Sequence, residues 1–161
     1  MGFRIFLERN LMSTTAKAKV LIADDNPPGA ELLEAYLADQ PYETKVAYNG
    51  DEALEIARNW NPDLILLDVM MPRISGFEVC QKLREDPATQ EMGVIMVTAL
   101  DQPGDIDRAV QAGTDDLLTK PVSKADLMIR LSTLLDVVRQ RPASTMDRAV
   151  RYIQSVERGG V

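Results

Sequence analysis

The residues in this sequence whose types could do chemistry are few: the pair Asp24-Asp25, then Asp68, Thr98 and Lys120. Each sits at the end of a short apolar run. Val20-Leu21-Ile22-Ala23 precedes the acidic pair, Leu64-Ile65-Leu66-Leu67 precedes Asp68, Val94-Ile95-Met96-Val97 precedes Thr98, and Leu117-Leu118 comes just before Thr119-Lys120-Pro121. Three clustered carboxylates repel one another and need a cation at neutral pH. Hard oxygen donors with open positions suit Mg2+, which keeps waters and accepts phosphate oxygens. A carboxylate beside such an ion can act as a nucleophile and form an acyl phosphate, with the ion stabilising charge on the transferred group. Lys120 would then meet one phosphoryl oxygen and Thr98 would hydrogen-bond another. Taken singly these signals are weak, since acidic pairs often begin loops or cap helices and Lys-Pro is a common loop dipeptide. Their weight comes from their order at successive strand ends.

The elements that must position these residues follow from apolar spacing. The first, third and fourth runs are apolar throughout, which marks strands covered on both faces, as in a parallel sheet. Thr44 to Tyr48 is a second, weaker strand and Leu117-Leu118 a short fifth. Between the runs lie stripes at helical spacing: Leu32, Leu33, Tyr36 and Leu37; Ala53, Ile56, Ala57 and Trp60; Phe77, Cys80 and Leu83; Ile106, Ala109 and Val110, stopped by Gly113; and Leu127, Leu131, Leu134, Leu135 and Val138. Alternation of strand and helix with short connections predicts a doubly wound α/β domain over residues 17–141. In such sheets reactive groups gather outside the carboxyl ends of the strands, where all five polar positions fall. Arg141-Pro142-Ala143 breaks the last helix. Met146, Ala149, Val150, Ile153 and Val156 then predict a short amphipathic helix within residues 142–161, which either packs back on the domain or pairs with a partner or a second copy.

Composition narrows the function classes. The 161 residues carry a formal net charge of −7, which disfavours direct nucleic-acid or acidic-membrane binding. There is no histidine, so His-ligated zinc, Ser-His-Asp catalysis and a histidine phospho-carrier role are excluded within the chain. A phosphoryl group must come from another molecule. The single Cys80 permits no intrachain disulfide and fits a buried helix position in a reducing cytoplasm. No stretch approaches the roughly 20 apolar residues of a membrane helix. Residues 1–16 read as a flexible extension: Arg4, Glu8 and Arg9 interrupt its apolar residues too closely for a signal-peptide core. Phe6 stands where a myristoylation signal wants Ser or Thr. Translation could start at Met1 or at Met12. Met70-Met71 read as loop and packing residues and Trp60 as a helix-end packing residue. The stretches Glu85-Asp86-Pro87 and Asp101 to Asp107 read as solvated helix ends.

The stretches Leu21-Ile22-Ala23-Asp24-Asp25-Asn26, Asp63 to Pro72, Val97-Thr98-Ala99 and Leu118-Thr119-Lys120-Pro121 resemble those of bacterial two-component response-regulator receiver domains, over about residues 19–138, and the Asp-x-Met-Met-Pro…Gly block from Asp68 to Gly76 is specific in that context. The resemblance implies a flavodoxin-like five-stranded parallel sheet in the order 2-1-3-4-5 with five flanking helices, to which the C-terminal helix is added. It implies Asp68 as phospho-acceptor, and Asp24, Asp25, Asp68 and the Met70 backbone carbonyl as the Mg2+ site. Thr98 becomes the switch hydroxyl and Lys120 the phosphate-binding lysine, with its bond to Pro121 expected cis. Met70 and Leu100 fall where such domains tune dephosphorylation. Implied partners are a sensor histidine kinase or histidine phosphotransfer protein and a downstream protein, and the face of the fourth and fifth helices is available for a homodimer. One departure matters: Leu117 stands where receivers usually carry Tyr or Phe. The aromatic-coupled rotation is then missing, and movement of Thr98 alone reshapes the loop after the fourth strand.

Rival classes fit less well. A haloacid-dehalogenase-like phosphatase wants Asp-x-Asp on the first strand, where this chain has Asp24-Asp25-Asn26. A flavin-binding flavodoxin wants a Ser/Thr/Gly-rich loop where this chain has Asn26-Pro27-Pro28, and its aromatic content is 5%. A degenerate receiver that works without phosphate would not need all five polar positions. The expected activity is a switch that catalyses only its own phosphoryl transfer and dephosphorylation. The stand-alone form is favoured over the receiver portion of a longer regulator with an output domain such as a diguanylate cyclase.

Overall fold

Strands with no polar face need cover on both sides, and the three all-apolar runs become the centre of the sheet. The computed structural model describes residues 16–99, 102–140 and 145–157, with the backbone alone at 145–148 and 151. The alternative starts Met1 and Met12, Leu100, Asp101, the break at Arg141-Pro142-Ala143 and the Met146 side chain lie outside the described residues. The strands are β1 (Ala18–Ala23), β2 (Tyr42–Ala47), β3 (Leu64–Leu67), β4 (Gly93–Thr98) and β5 (Asp116–Thr119). They form one parallel sheet in the order β2-β1-β3-β4-β5, the flavodoxin-like order expected. Every residue of β3 and β4 is buried. Edge strand β2 alternates exposed and half-buried positions, which is why its sequence signal was weak.

Six helices are described: α1 (Pro27–Leu37), α2 (Gly50–Trp60), α3 (Gly76–Glu85), α4 (Pro103–Ala112), α5 (Lys124–Arg139) and α6 (Thr145–Glu157). α2, α3 and α4 cover one face of the sheet, through Ala57, Val79, Cys80, Leu83 and Ala109 among others. α1 and α5 cover the other, through Leu33, Leu37, Leu127, Leu131 and Leu134. Side-chain caps begin three of them: Asn49 accepts the Glu52 N–H at 2.8 Å, and Ser75 and Ser123 accept those of Glu78 and Asp126 at 3.3 Å. Gly113 ends α4 at φ 97°, as its position in the sequence indicated.

Three stripes differ from the expected ones. Leu32 of α1 and Ile106 and Val110 of α4 are exposed. α4 meets the core through the small Ala109 and Ala112, and its larger apolar residues Ile106 and Val110 remain outside. In α6 the expected positions Val150 and Ile153 are exposed while Ala149 and Val156 are half-buried, and among the described side chains the fully buried one is Tyr152, which the apolar spacing passed over. α6 packs back along α5. Trp60 packs half-buried at the end of α2, with the Lys19 and Lys45 ammonium groups 5.6 and 5.0 Å from its ring centre.

Candidate functional site

Parallel pairing carries β1, β3 and β4 to a common edge, and the backbone just past each strand stays tied to the sheet. The Asp24 N–H donates to Ala47 O at 3.1 Å and the Asp68 N–H to Ala23 O at 2.9 Å. Lys120 N–H donates to Thr98 O at 2.8 Å, which sets the end of β5 beside the end of β4. Asp24, Asp25 and Asp68 each offer a carboxylate oxygen within 4.8 Å of the other two. Asp24 and Asp68 are buried while Asp25 faces solvent. Thr98 is fully buried at the end of β4. The structure therefore brings Asp24, Asp25, Asp68 and Lys120 together, with Thr98 buried at the adjoining end of β4.

Lys120 spans the buried carboxylates. Its Nζ lies 3.3 Å from Asp24 Oδ2 and 3.3 Å from Asp68 Oδ2. The other oxygens are held by backbone donors: Asn26 N–H reaches Asp24 Oδ1 at 2.9 Å and Met70 N–H reaches Asp68 Oδ1 at 3.2 Å. One ammonium thus serves two acids. Burial pushes the Asp68 carboxyl above its usual range; Lys120 opposes that push and Asp24 adds to it. Burial works against the charge on Lys120, but the facing Asp68 and Asp24 carboxylates outweigh it and raise the lysine. The cluster holds three carboxylates and one ammonium, an excess of negative charge among hard oxygen donors. That is a donor set fitting a divalent cation such as Mg2+. The Lys120-Pro121 bond is cis, as expected.

Two glycines shape this site: Gly76, which closes the Asp68 to Gly76 block of the sequence, and Gly29, which was not singled out from the sequence. A Cβ on Gly29, in the first turn of α1, would lie 2.6 Å from Asp24 Oδ2. A Cβ on Gly76, the first residue of α3, would lie 2.3 Å from the backbone oxygen of Asp68. The bare Gly76 instead donates its N–H to Val69 O at 2.9 Å. That contact folds residues 68–76 into a tight arch, with Arg73 in the left-handed region at φ 66°. Met71 anchors the arch in the core while Met70 is 64% exposed at the mouth of the site. The clue to Gly29 was its place directly after Pro27-Pro28, where the chain turns sharply into a helix. A shallow cleft of about 150 Å³ beside the site is lined by Gly29, Leu32, Leu33, Lys120, Pro121 and Val122, among others.

Residues 20–132 match the family described as response regulator receiver domain. The chain is 43% identical over 133 residues to response regulator PleD of Caulobacter vibrioides, covering 79% of this chain and 29% of that protein. It is 40% identical over 124 residues to transcriptional regulatory protein ResD of Bacillus subtilis, covering 77% of this chain and 50% of that one. It thus spans half or less of the length of both relatives. Among solved structures, the signal receiver domain of a signal transduction histidine kinase from Syntrophus aciditrophicus superposes with a TM-score of 0.72 at 34% identity, covering 79% of this chain and 96% of that domain.

Proposed function

The chain belongs to the response regulator receiver domain family, whose members are phosphorylation-dependent signalling switches, and we propose that its phospho-acceptor is Asp68. The observation that carries this reading is the pair of contacts on the Asp68 carboxylate: Met70 N–H on one oxygen and Lys120 on the other, with Asp24 sharing the same ammonium. Receivers of this family take phosphoryl groups from histidine kinases or histidine phosphotransfer proteins. In this chain an Asp68 oxygen would form the new O–P bond as the donor's N–P bond breaks, and the freed imidazole of the partner would take up a proton from water.

Asp24, Asp25, Asp68 and the Met70 carbonyl are the residues that would hold Mg2+. When bound, the ion supplies charge stabilisation on the transferred oxygens. The chain's own groups do the rest. Met70 N–H aims the Asp68 carboxylate and holds one of its oxygens still. Lys120 neutralises Asp68 and Asp24 in the resting site and turns to a phosphoryl oxygen once one arrives. Thr98 supplies a hydroxyl from the end of β4 to a second phosphoryl oxygen. The buried setting limits the water that can reach the acyl phosphate. Residues 17–141 form the receiver unit in this reading, followed by a hinge and helix within 142–161. A cytoplasmic setting supplies both the kinase and the reducing conditions that suit buried Cys80.

The test is intact-protein mass after incubation with acetyl phosphate. The wild-type chain should gain one phosphoryl group only when Mg2+ is present, and Asp68→Asn should gain none. An adduct that persists in Asp68→Asn would remove Asp68 from the role. A second reading, the receiver portion of a longer regulator with its own output domain, is favoured by the chain's spanning 29% and 50% of the two relatives. An immunoblot of source cells with an antibody to the receiver would decide it: a band well above 17.9 kDa supports the longer protein.

A further inference from the structure

α6 returns to the domain it follows. Tyr152 is 6% exposed, its ring set among the residues between the sheet, α1 and α5, with Val156 packed beside that cluster. Its hydroxyl donates to Asp116 Oδ2. The same carboxylate accepts Arg130 Nη1 of α5 at 2.8 Å on Oδ2 and 3.1 Å on Oδ1. Arg130 Nε is held in turn by Asp126 at 3.0 Å, and Asp116 Oδ1 also accepts the Leu117 N–H at 2.8 Å. One side chain of β5 therefore ties the strand to α5 and to α6 at once. The face of α6 that carries Val150 and Ile153 looks outward.

β5 also ends at the acidic site. Asp116 is its first residue, and Lys120 follows its last. Thr98 pairs with Thr119 in the sheet register, and its carbonyl accepts the Lys120 N–H. The route from Thr98 and Lys120 to Asp116 is thus a single short strand, paired along its whole length. A pull on Lys120 moves the strand whose other end holds Tyr152. Side-chain read-out through an aromatic on β5 is not available, because that position is Leu117 and it packs on the opposite core, with α2, α3 and α4. The C-terminal helix is attached to the strand by a separate and polar link.

We propose that α6 is a latch, seated through Tyr152 on Asp116 and Arg130 while Asp24 and Asp68 share Lys120, and released when a phosphoryl group on Asp68 draws Lys120 and Thr98 toward it. The inference rests on the reading of Asp68 as acceptor. Release uncovers the Asp116–Arg130 flank of β5 and α5 together with the α6 face bearing Tyr152 and Val156. The coupling is reciprocal, as all binding linkage is. Whatever loosens α6 must favour occupancy of Asp68, and by the same factor.

The test uses the full chain with Mg2+, with and without beryllofluoride as the acyl-phosphate mimic. Hydrogen exchange is read on peptides covering Thr145–Glu157, and fluorine NMR reads the beryllofluoride bound. In the wild type, saturation with beryllofluoride should speed exchange in α6 by about tenfold. Tyr152→Phe keeps the ring and deletes the hydroxyl; it should speed α6 exchange without beryllofluoride and tighten beryllofluoride binding by a matching factor. Wild-type protein that binds beryllofluoride while α6 exchange stays the same or slows would overturn the latch. So would Tyr152→Phe with a loosened helix and unchanged beryllofluoride affinity. Absence of a bound fluorine signal in the wild type would instead overturn the acceptor reading, and the latch with it.

Discussion

Gly29 is the residue where the acidic site has least room. Asp24 is buried and its two carboxylate oxygens are already engaged by Asn26 N–H and Lys120. An added methyl group at 2.6 Å from Oδ2 has to push that carboxylate aside. Because the helix backbone at Gly29 needs no unusual torsion, the substitution acts on the site more than on the fold. Gly29→Ala should weaken Mg2+ binding by about tenfold, equal to about 1.4 kcal/mol, with little loss of thermal stability. Calorimetric titration with Mg2+ beside a melting curve checks it, and unchanged affinity would show that Asp24 does not need its present position. Lys120 differs in kind from Gly29. It offsets charge in the resting site rather than making space, and burial would leave Asp24 and Asp68 under-compensated without it.

Among the elements, β5 joins the acidic site to α6 and is only partly buried. Leu117 on it is half-buried and packs toward the α4 side. Leucine fills space there but offers no hydroxyl and no ring to exchange between inner and outer positions. Leu117→Tyr should therefore enlarge the beryllofluoride-linked amide shifts over α4 and β5; if those shifts barely change, the side chain is not the bottleneck in read-out. Arg84 braces the other end of this region. It donates to Gly113 O at 2.9 Å and to Gln90 O at 2.9 Å, and it pairs with Asp115 at 2.9 Å. The α3 end, the following loop and the entry to β5 therefore move as a piece. α6 has a pH signature of its own. Burial and the hydrogen bond to Asp116 push the Tyr152 phenol well above its ordinary value of about 10, with Arg130 opposing. A group whose folded value is raised stabilises the docked state fully below that ordinary value and loses the contribution as pH climbs past it. Docking of α6 should accordingly weaken above about pH 10. In a tyrosinate absorbance titration Tyr42, also raised by burial, and Tyr152 should ionise late. Tyr152→Phe should remove the last step; a curve unaltered by that substitution would mean the phenol is not enclosed.

At the scale of the whole molecule, cation binding and folding are linked, because the three carboxylates converge only when the sheet is assembled. A cation at about ten times its Kd should add about 1.4 kcal/mol of stability, which moves Tm upward by about 3–6 °C for a chain of this size. Asp24→Asn should lose most of that response to Mg2+ in differential scanning calorimetry. An equal rise in the variant would point to cation binding elsewhere on a surface of net charge −7.

The sequence by itself determined the architecture and the placing of the acidic site. All-apolar runs have no exposed face to offer, so β1, β3 and β4 had to be central strands, and a doubly wound sheet exposes their carboxyl ends. Asp24, Asp25, Asp68, Thr98 and Lys120 could be picked out because polar residues interrupt apolar patterns where the pattern alone asks for none. Only the tertiary structure decided the rest, for reasons of distance and direction. Gly29 matters through its close approach to the Asp24 side chain a few residues before it, and a glycine's spacing says nothing of what comes near it. Of the apolar stripe of α6, Val156 packs inward while Val150 and Ile153 stay outside, and Tyr152 is passed over because an apolar count overlooks a residue whose ring is buried and whose oxygen has a carboxylate waiting for it. Whether Leu32, Ile106 and Val110 lie inside or outside depended on which side of each helix meets the rest of the fold, which periodicity within one helix does not encode.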